Sequence, residues 1–191
     1  MFYLTVILST LVAVGFLHAP FGDAFSVGAL LTSLGNSTLG VISVIAIDGI
    51  VAFIVRRMPE AWFSHEKKLY AVPKREREFL RKTKIGVWKR FVPELGCFTG
   101  FHKSHVADPK DPAYIERFLL ESNYGAVGHV LGAFLGFLIL LLPFCKPLSV
   151  GLPIAIVNFV LSMLPTCILR YNTPSLLRLL ARAKREAEKK G

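Results

Sequence analysis

The chain is poor in acidic residues and in cysteine. Of its 191 residues, 13 are Asp or Glu and 23 are Lys or Arg, which gives a formal net charge of +10. The 3 cysteines form no Cys-x-x-Cys pair and have no His-linked spacing, so they predict neither a disulfide framework nor a zinc site. Charged residues are also scarce, at 19% against 53% hydrophobic, and the mean hydropathy is +0.51. This composition predicts a membrane protein whose basic excess faces anionic headgroups rather than nucleic acid.

Several catalytic signatures are missing from the sequence. It has no glycine-rich phosphate loop, no His-Glu-x-x-His zinc motif and no Gly-x-Ser-x-Gly nucleophile elbow. Nucleotide hydrolysis and serine-hydrolase chemistry therefore lose support. We expect no bound metal and no bound cofactor.

Four apolar runs predict an all-α, polytopic membrane protein that forms a single membrane domain over 1–191. The predicted spans are 1–17, 39–55, 125–145 and 148–169. The last two runs are long enough to cross about 30 Å of hydrocarbon. The first is interpreted as a helix rather than a signal peptide, because no basic residue precedes it and a cleaved chain would begin near Pro20. The semi-apolar loop 18–38 either dips into the membrane or carries a short interfacial helix.

The basic residues are distributed very unevenly. Between Arg56 and Arg117 there are 15, from Arg170 onward there are seven, and only Lys146 lies between the third and fourth runs. Under the positive-inside rule this predicts that segment 56–122 and both termini are cytoplasmic. Aromatic residues interleave with charge in 56–122, which predicts cytoplasmic interfacial helices in that segment.

Two further helix boundaries are predicted from local sequence. Asp111 and Pro112 form a cap and a first helical residue, and nothing interrupts that helix before Pro143. Pro174 predicts a break after the fourth span, with a separate basic amphipathic helix over 174–190. Its apolar face would carry Leu176, Leu180, Ala183 and Ala187.

His129 lies in the third span among four glycines. The glycine spacing indicates close helix packing, whereas an ionisable group inside a span tends to mark a functional site, and the two interpretations are equally supported. Glu121 precedes it by eight residues, about 12 Å along a straight helix, so the two cannot bond directly. Asp48 lies near the middle of the second span and is either a neutral, hydrogen-bonded acid or a catalytic one.

His105 and Asp108 are three residues apart ahead of the Asp111 cap. The pair resembles a catalytic histidine oriented by a carboxylate, but its spacing does not match the His-x4-Asp pattern of the soluble-headed glycerolipid acyltransferases. Such pairs are also frequent by chance, and a solvated loop is the favoured interpretation.

Four motifs together resemble one family. They are Arg57-Met58-Pro59-Glu60-Ala61-Trp62-Phe63, Trp88-Lys89, Phe118-Leu119-Leu120-Glu121 with His129 eight residues after the acid, and Arg170-Tyr171-Asn172-Thr173-Pro174. Over roughly 56 to 186 the chain resembles the glycosyl-diaponeurosporenoate acyltransferase family of bacterial carotenoid synthesis.

The resemblance implies transfer of a fatty acyl group to a sugar hydroxyl of a lipid-linked glycoside in the bacterial cell membrane. The expected partners are membrane lipids, that glycoside and an acyl donor such as acyl-CoA as co-substrate. His129 is the expected base, because an imidazole near its own pKa can take the hydroxyl proton, and Glu121 is its expected partner or a substrate-positioning group. The expected substrate-binding residues are Arg170, Tyr171, Asn172, Trp88, Lys89 and Arg57.

Two alternatives stay open. His105 with Asp108 is the second candidate for the catalytic pair. A non-catalytic lipid-binding scaffold, or a small subunit of a membrane complex, is the competing function, and it does not require His129.

Overall fold

The computed structural model describes residues 2–18, 26–92, 106–146 and 148–189, and their regular structure is entirely helical. The α-helices are α1 (Phe2–His18), α2 (Val27–Arg57), α3 (Lys74–Lys82), α4 (Ile85–Trp88), α5 (Pro112–Leu135) and α6 (Leu148–Glu188). Short 3-10 segments lie at Glu60–Trp62, Lys68–Tyr70, Lys89–Phe91, Gly136–Leu141 and Pro143–Cys145. The predicted all-α class is confirmed.

Within the described ranges, three helical segments are long and apolar enough to cross a membrane: α2, Pro112–Leu141 and α6. Only 22% of the most apolar stretch of α2 is buried inside the protein, and large side chains such as Leu31 and Ile50 are exposed. Such a surface is costly in water but is matched by lipid. The chain is therefore an all-α membrane protein. The apolar part of α1, Thr5–Val14, is shorter, and the four-span count stays a prediction.

The second predicted span is longer than expected, because α2 begins at Val27 rather than near residue 39. Residues 27–38, expected in a loop, are the first turns of this helix. Ser26 caps it by accepting a hydrogen bond from the Ala29 amide at 3.1 Å. Within the helix, the Thr32 and Ser37 hydroxyls donate to carbonyls four residues earlier, at 2.9 Å each. Polar residues that indicated a loop are therefore satisfied inside a helix.

The start of α5 is as predicted. The Asp111 carboxylate accepts a hydrogen bond from the Ala113 amide at 2.9 Å, and Pro112 is the first helical residue. The α-helical geometry ends at Leu135, and a 3-10 segment continues to Leu141. The expectation of an uninterrupted helix up to Pro143 is therefore corrected to an α-helix with a tighter end.

The predicted break at Pro174 is wrong, because α6 runs without interruption from Leu148 to Glu188. A proline removes one backbone donor, but packing on either side can hold a helix through it. After the proline, Leu176, Leu180 and Ala183 are buried in one cluster with Ile115 and Leu119 of α5. The packing of these side chains against α5 stabilises the helix beyond Pro174. Ala187, expected on the same face, is exposed.

The chain divides into two compact units: Met1–Ile54 with Gly128–Met163, and Val55–Val127 with Leu164–Gly191. The first unit has an apolar core of Val14, Val44, Ile139, Cys145, Val150, Ile154 and Ala155. Gly40 lies in this core, where a Cβ would meet Ile154 at 2.9 Å and Cys145 at 3.0 Å.

The second unit is built around the α5 and α6 cluster. The segment Arg57–Phe63 docks on α5 through buried polar contacts. Asn123 donates to the Phe63 carbonyl at 2.8 Å, and the Tyr124 hydroxyl donates to the Met58 carbonyl at 3.1 Å. The Phe63 and Tyr124 rings lie 4.1 Å apart between centroids. The Arg57–Phe63 motif therefore has a structural role in docking this segment on α5.

Candidate functional site

In the first unit, His129 is half-buried, and no hydrogen bond or ion pair to its imidazole occurs among the residues that the structure describes. Two neighbouring glycines, Gly132 and Gly136, allow the close helix packing that the glycine spacing predicts. A Cβ at Gly132 would lie 2.5 Å from the Asp48 Oδ1 atom, and one at Gly136 would lie 2.5 Å from the Asn158 amide nitrogen. Gly128 has nothing within 4 Å. The glycines therefore form a packing seam, but the seam does not provide a partner for His129.

Asp48 is held beside this seam. Its carboxyl bonds the Asn158 side chain, one of the partners suggested by the sequence, while its Oδ1 atom is buried without a hydrogen bond in the described part of the chain. Asn158 also donates to the Gly132 carbonyl at 3.4 Å. A buried acid with one amide partner fits the hydrogen-bonded interpretation.

In the second unit, Glu121 accepts from two arginines. Its oxygens lie 2.8 Å from Arg56 Nη2 and 2.8 Å from Arg117 Nη2, and its side chain is 8% exposed. Arg117 also reaches Glu60 at 2.6 Å. The network ties the end of α2 and the following turn to α5. Both carboxylate oxygens of Glu121 are therefore occupied in this structure.

Arg170, the first residue of the Arg170–Pro174 motif, makes a bidentate ion pair with Glu76 of α3. Its Nε bonds Glu76 Oε1, and its Nη2 bonds Oε2 at 2.7 Å and the Ala71 carbonyl at 3.1 Å. The side chains are 26% and 28% exposed. The fork of the guanidinium matches a carboxylate, so this pair fixes α3 on α6 in a defined orientation.

Tyr171, the second residue of the Arg170–Pro174 motif, lies beside Lys89, another predicted substrate-binding residue. Lys89 Nζ stands over the Tyr171 ring, 5.6 Å from its centroid. Trp88 donates to the Thr83 carbonyl at 3.0 Å. The structure therefore brings Lys89 and Tyr171 together, although 82 residues separate them in the sequence. Asn172 is half-buried and Arg57 exposed, and both make interactions within the chain.

The alternative catalytic pair is described only in part. Asp108 is exposed, and its Oδ1 accepts from the amides of Lys110 at 3.2 Å and Asp111 at 3.3 Å, which stabilises the turn before α5. His105 lies outside the described residues.

A cleft of about 310 Å³ opens in the second unit next to the Arg170–Pro174 motif. It is lined by Arg77, Glu78, Arg81, Tyr171, Pro174, Ser175 and Arg178. Sequence reasoning singled out Tyr171 but missed the three arginines and Glu76. Glu76, Arg77 and Arg81 lie in the charge-dense segment Lys74–Lys82, whose sequence alone is typical of an ordinary solvated helix.

No group of three or more His, Cys, Asp or Glu side chains suited to a metal ion occurs within the described ranges.

Comparison with known proteins places the chain in a family. A search of curated proteins and a search of solved structures each gave no significant match. The sequence profile described as glycosyl-4,4'-diaponeurosporenoate acyltransferase matches residues 59–182, well over half of the chain. The matched range contains Trp88, Glu121, His129 and the Arg170–Pro174 motif. The chain therefore belongs to the glycosyl-4,4'-diaponeurosporenoate acyltransferase family.

Proposed function

We propose that this protein transfers a fatty acyl group from a thioester donor such as acyl-CoA to a sugar hydroxyl of a lipid-linked glycoside, a glycosyl carotenoid or a similar glycolipid. The observation that carries this proposal is the family match over residues 59–182. The membrane character of α2 and α6 supports it, because acyl chains and isoprenoid tails dissolve in the bilayer. The proposed location is the cytoplasmic face of a bacterial cell membrane.

His129 is the proposed general base. An ionisable side chain in a membrane helix is costly, so one without a partner among the described residues calls for a functional explanation. In the proposed step, the imidazole takes the proton of the sugar hydroxyl while the oxygen attacks the thioester carbonyl. The ester C–O bond forms, the C–S bond breaks, and the leaving thiolate receives the proton from the imidazolium.

Glu121, Arg170 and their neighbours belong to the second unit and have a different proposed role. Arg170 fixes α3 on α6, the helix that carries Tyr171 and Asn172, and Glu121 holds the end of α2, which carries Arg57. Lys89, Tyr171 and Asn172 are the proposed contacts to substrate. Arg57 and Trp88 would complete that surface. No resident cofactor is part of this proposal, since the acyl donor supplies the reactive group.

The proposal can be tested in a bacterium that accumulates the glycosylated carotenoid but lacks its acylating enzyme. Expression of the full chain should convert the pigment to its fatty acyl ester, which mass spectrometry of lipid extracts would identify. The His129→Gln variant, present in the membrane at the same level, should leave the pigment unesterified. Parent protein in the membrane with no acylated product would favour the scaffold interpretation.

The proposed orientation has its own test. The 22 to 1 distribution of basic residues supports a cytoplasmic location for segment 56–122 and both termini. A C-terminal green fluorescent protein fusion should be fluorescent and a C-terminal alkaline phosphatase fusion inactive. The reverse pattern would refute this topology.

A further inference from the structure

We propose that the cleft beside the Arg170–Pro174 motif binds the phosphate groups of a nucleotide-linked acyl donor of the coenzyme A type. This inference rests on the proposed function, because it names the subsite of the donor. Three arginines, Arg77, Arg81 and Arg178, line a single cleft of about 310 Å³. That volume lies at the small end of ligand sites and suits a head group rather than a whole acyl donor.

The lack of carboxylate partners for these three arginines supports an anionic ligand. Elsewhere in the same unit, Arg56, Arg117 and Arg170 each bind a carboxylate at no more than 2.8 Å. In contrast, the cleft arginines have no carboxylate within 4.0 Å among the described residues, and Arg178 bonds only the Ser175 hydroxyl, at 3.1 Å. Guanidinium groups bind phosphates through paired hydrogen bonds, so three that have no carboxylate partner among the described residues suit a ligand with several phosphates.

The wall of the cleft offers a second feature that suits a nucleotide. Tyr171 is half-buried and lines the cleft, and Lys89 stands 5.6 Å from the centroid of its ring. A fixed aromatic ring can stack against a base, and a nearby cation adds to the positive potential. A phospholipid headgroup shares the phosphate but has no base and usually has one phosphate. The combination therefore favours the nucleotide over the lipid.

The primary test is a binding experiment that needs no turnover. Full-length protein in phosphatidylcholine nanodiscs is titrated with coenzyme A by calorimetry. In the double variant Arg77→Gln/Arg178→Gln, affinity should fall by about a hundredfold, from about tenfold for each charge-assisted contact. The matched control is Arg75→Gln/Arg185→Gln, which removes the same charge from the same two helices at exposed positions outside the cleft. Equal affinities in the two double variants would overturn the proposal.

Glu78 provides a test of opposite sign. Glu78 lines the cleft and its negative charge should repel a polyphosphate, so Glu78→Gln should tighten coenzyme A binding severalfold. A gain in affinity cannot come from a folding defect. Unchanged or weaker binding in this variant would contradict a phosphate site.

A third arm separates the two sources of phosphate. Dihexanoyl phosphatidylglycerol, a soluble phospholipid, is titrated into the same nanodisc samples in place of coenzyme A. It should bind weakly, and equally well to the parent and to Arg77→Gln/Arg178→Gln. Loss of phospholipid binding in that variant with coenzyme A affinity unchanged would assign the cleft to a headgroup and overturn the nucleotide proposal. Failure of acyl transfer, by contrast, would appear only in the turnover assay and leave these affinities unaltered.

Discussion

Arg170 and Glu76 join the Arg170–Pro174 motif to helix α3 by a bidentate ion pair, about three-quarters removed from solvent on both sides. Replacing Arg170 by Lys keeps the charge but loses the fork, so the free energy of unfolding should fall by about 1–2 kcal/mol. Thermal unfolding in detergent measures this change. The control Arg185→Lys alters an exposed residue and should have no measurable effect. Equal melting of both variants would show that the pair does not order α3.

Glu121 should matter more for stability than Glu60, although both bind Arg117. Glu121 is 8% exposed and holds two guanidinium groups, whereas Glu60 is 64% exposed. Glu121→Gln should cost about 1–2 kcal/mol and Glu60→Gln less than about 1 kcal/mol, because solvent screens the exposed pair. Chemical denaturation of the two variants compares them directly. A larger loss for Glu60→Gln would contradict the network described here.

The glycine seam predicts a sharp contrast between two positions of α5. Gly132→Ala places a methyl group against the Asp48 carboxylate and should destabilise the protein by about 1–3 kcal/mol. Gly128→Ala, one turn earlier, enters open space and should be neutral or stabilising. In an Asp48→Ala background the cost of Gly132→Ala should largely disappear. If Gly132→Ala remains destabilising in the Asp48→Ala background, the Asp48 carboxylate is not the group that the added methyl meets.

Tyr70 predicts a loss of stability at alkaline pH. Burial, and secondarily the nearby Tyr124, raises the pKa of its hydroxyl, which donates to the Trp62 carbonyl at 3.0 Å. Because the folded-state pKa lies above the unfolded value of about 10, this contribution is full below pH 10 and is lost as pH rises through the folded pKa. Melting temperatures from pH 8 to 11 should fall less steeply in Tyr70→Phe. If the melting temperatures of the parent and of Tyr70→Phe fall equally with pH, Tyr70 does not cause the alkaline loss of stability.

Local sequence was sufficient for some features and not for others. The Asp111 cap, the start of α5 and the apolar character of α2, α5 and α6 follow from short-range patterns, and the structure has them. The start of α2 was missed because Ser and Thr side chains satisfy carbonyls within their own helix as well as in loops. Pro174 was misjudged because distant packing between α6 and α5 outweighs its local effect.

The candidate cleft could not be predicted from spacing. Arg77 and Arg178 are about a hundred residues apart in the sequence, and only the folded second unit brings them together. The same is true of Glu76 and Arg170. Motif reasoning therefore found Tyr171 and Arg170, while their partners on α3 needed the structure.

The central claim is acyl transfer to a membrane glycolipid with His129 as base. The most direct measurement uses purified protein in nanodiscs containing the glycosylated carotenoid, with acyl-CoA added and the ester quantified by mass spectrometry. We predict ester from the parent and on the order of a hundredfold less from His129→Gln, with melting near that of the parent, because a positioned base contributes about that factor. Undiminished ester from folded His129→Gln would remove His129 from the mechanism, and no ester from the folded parent would contradict the claim itself.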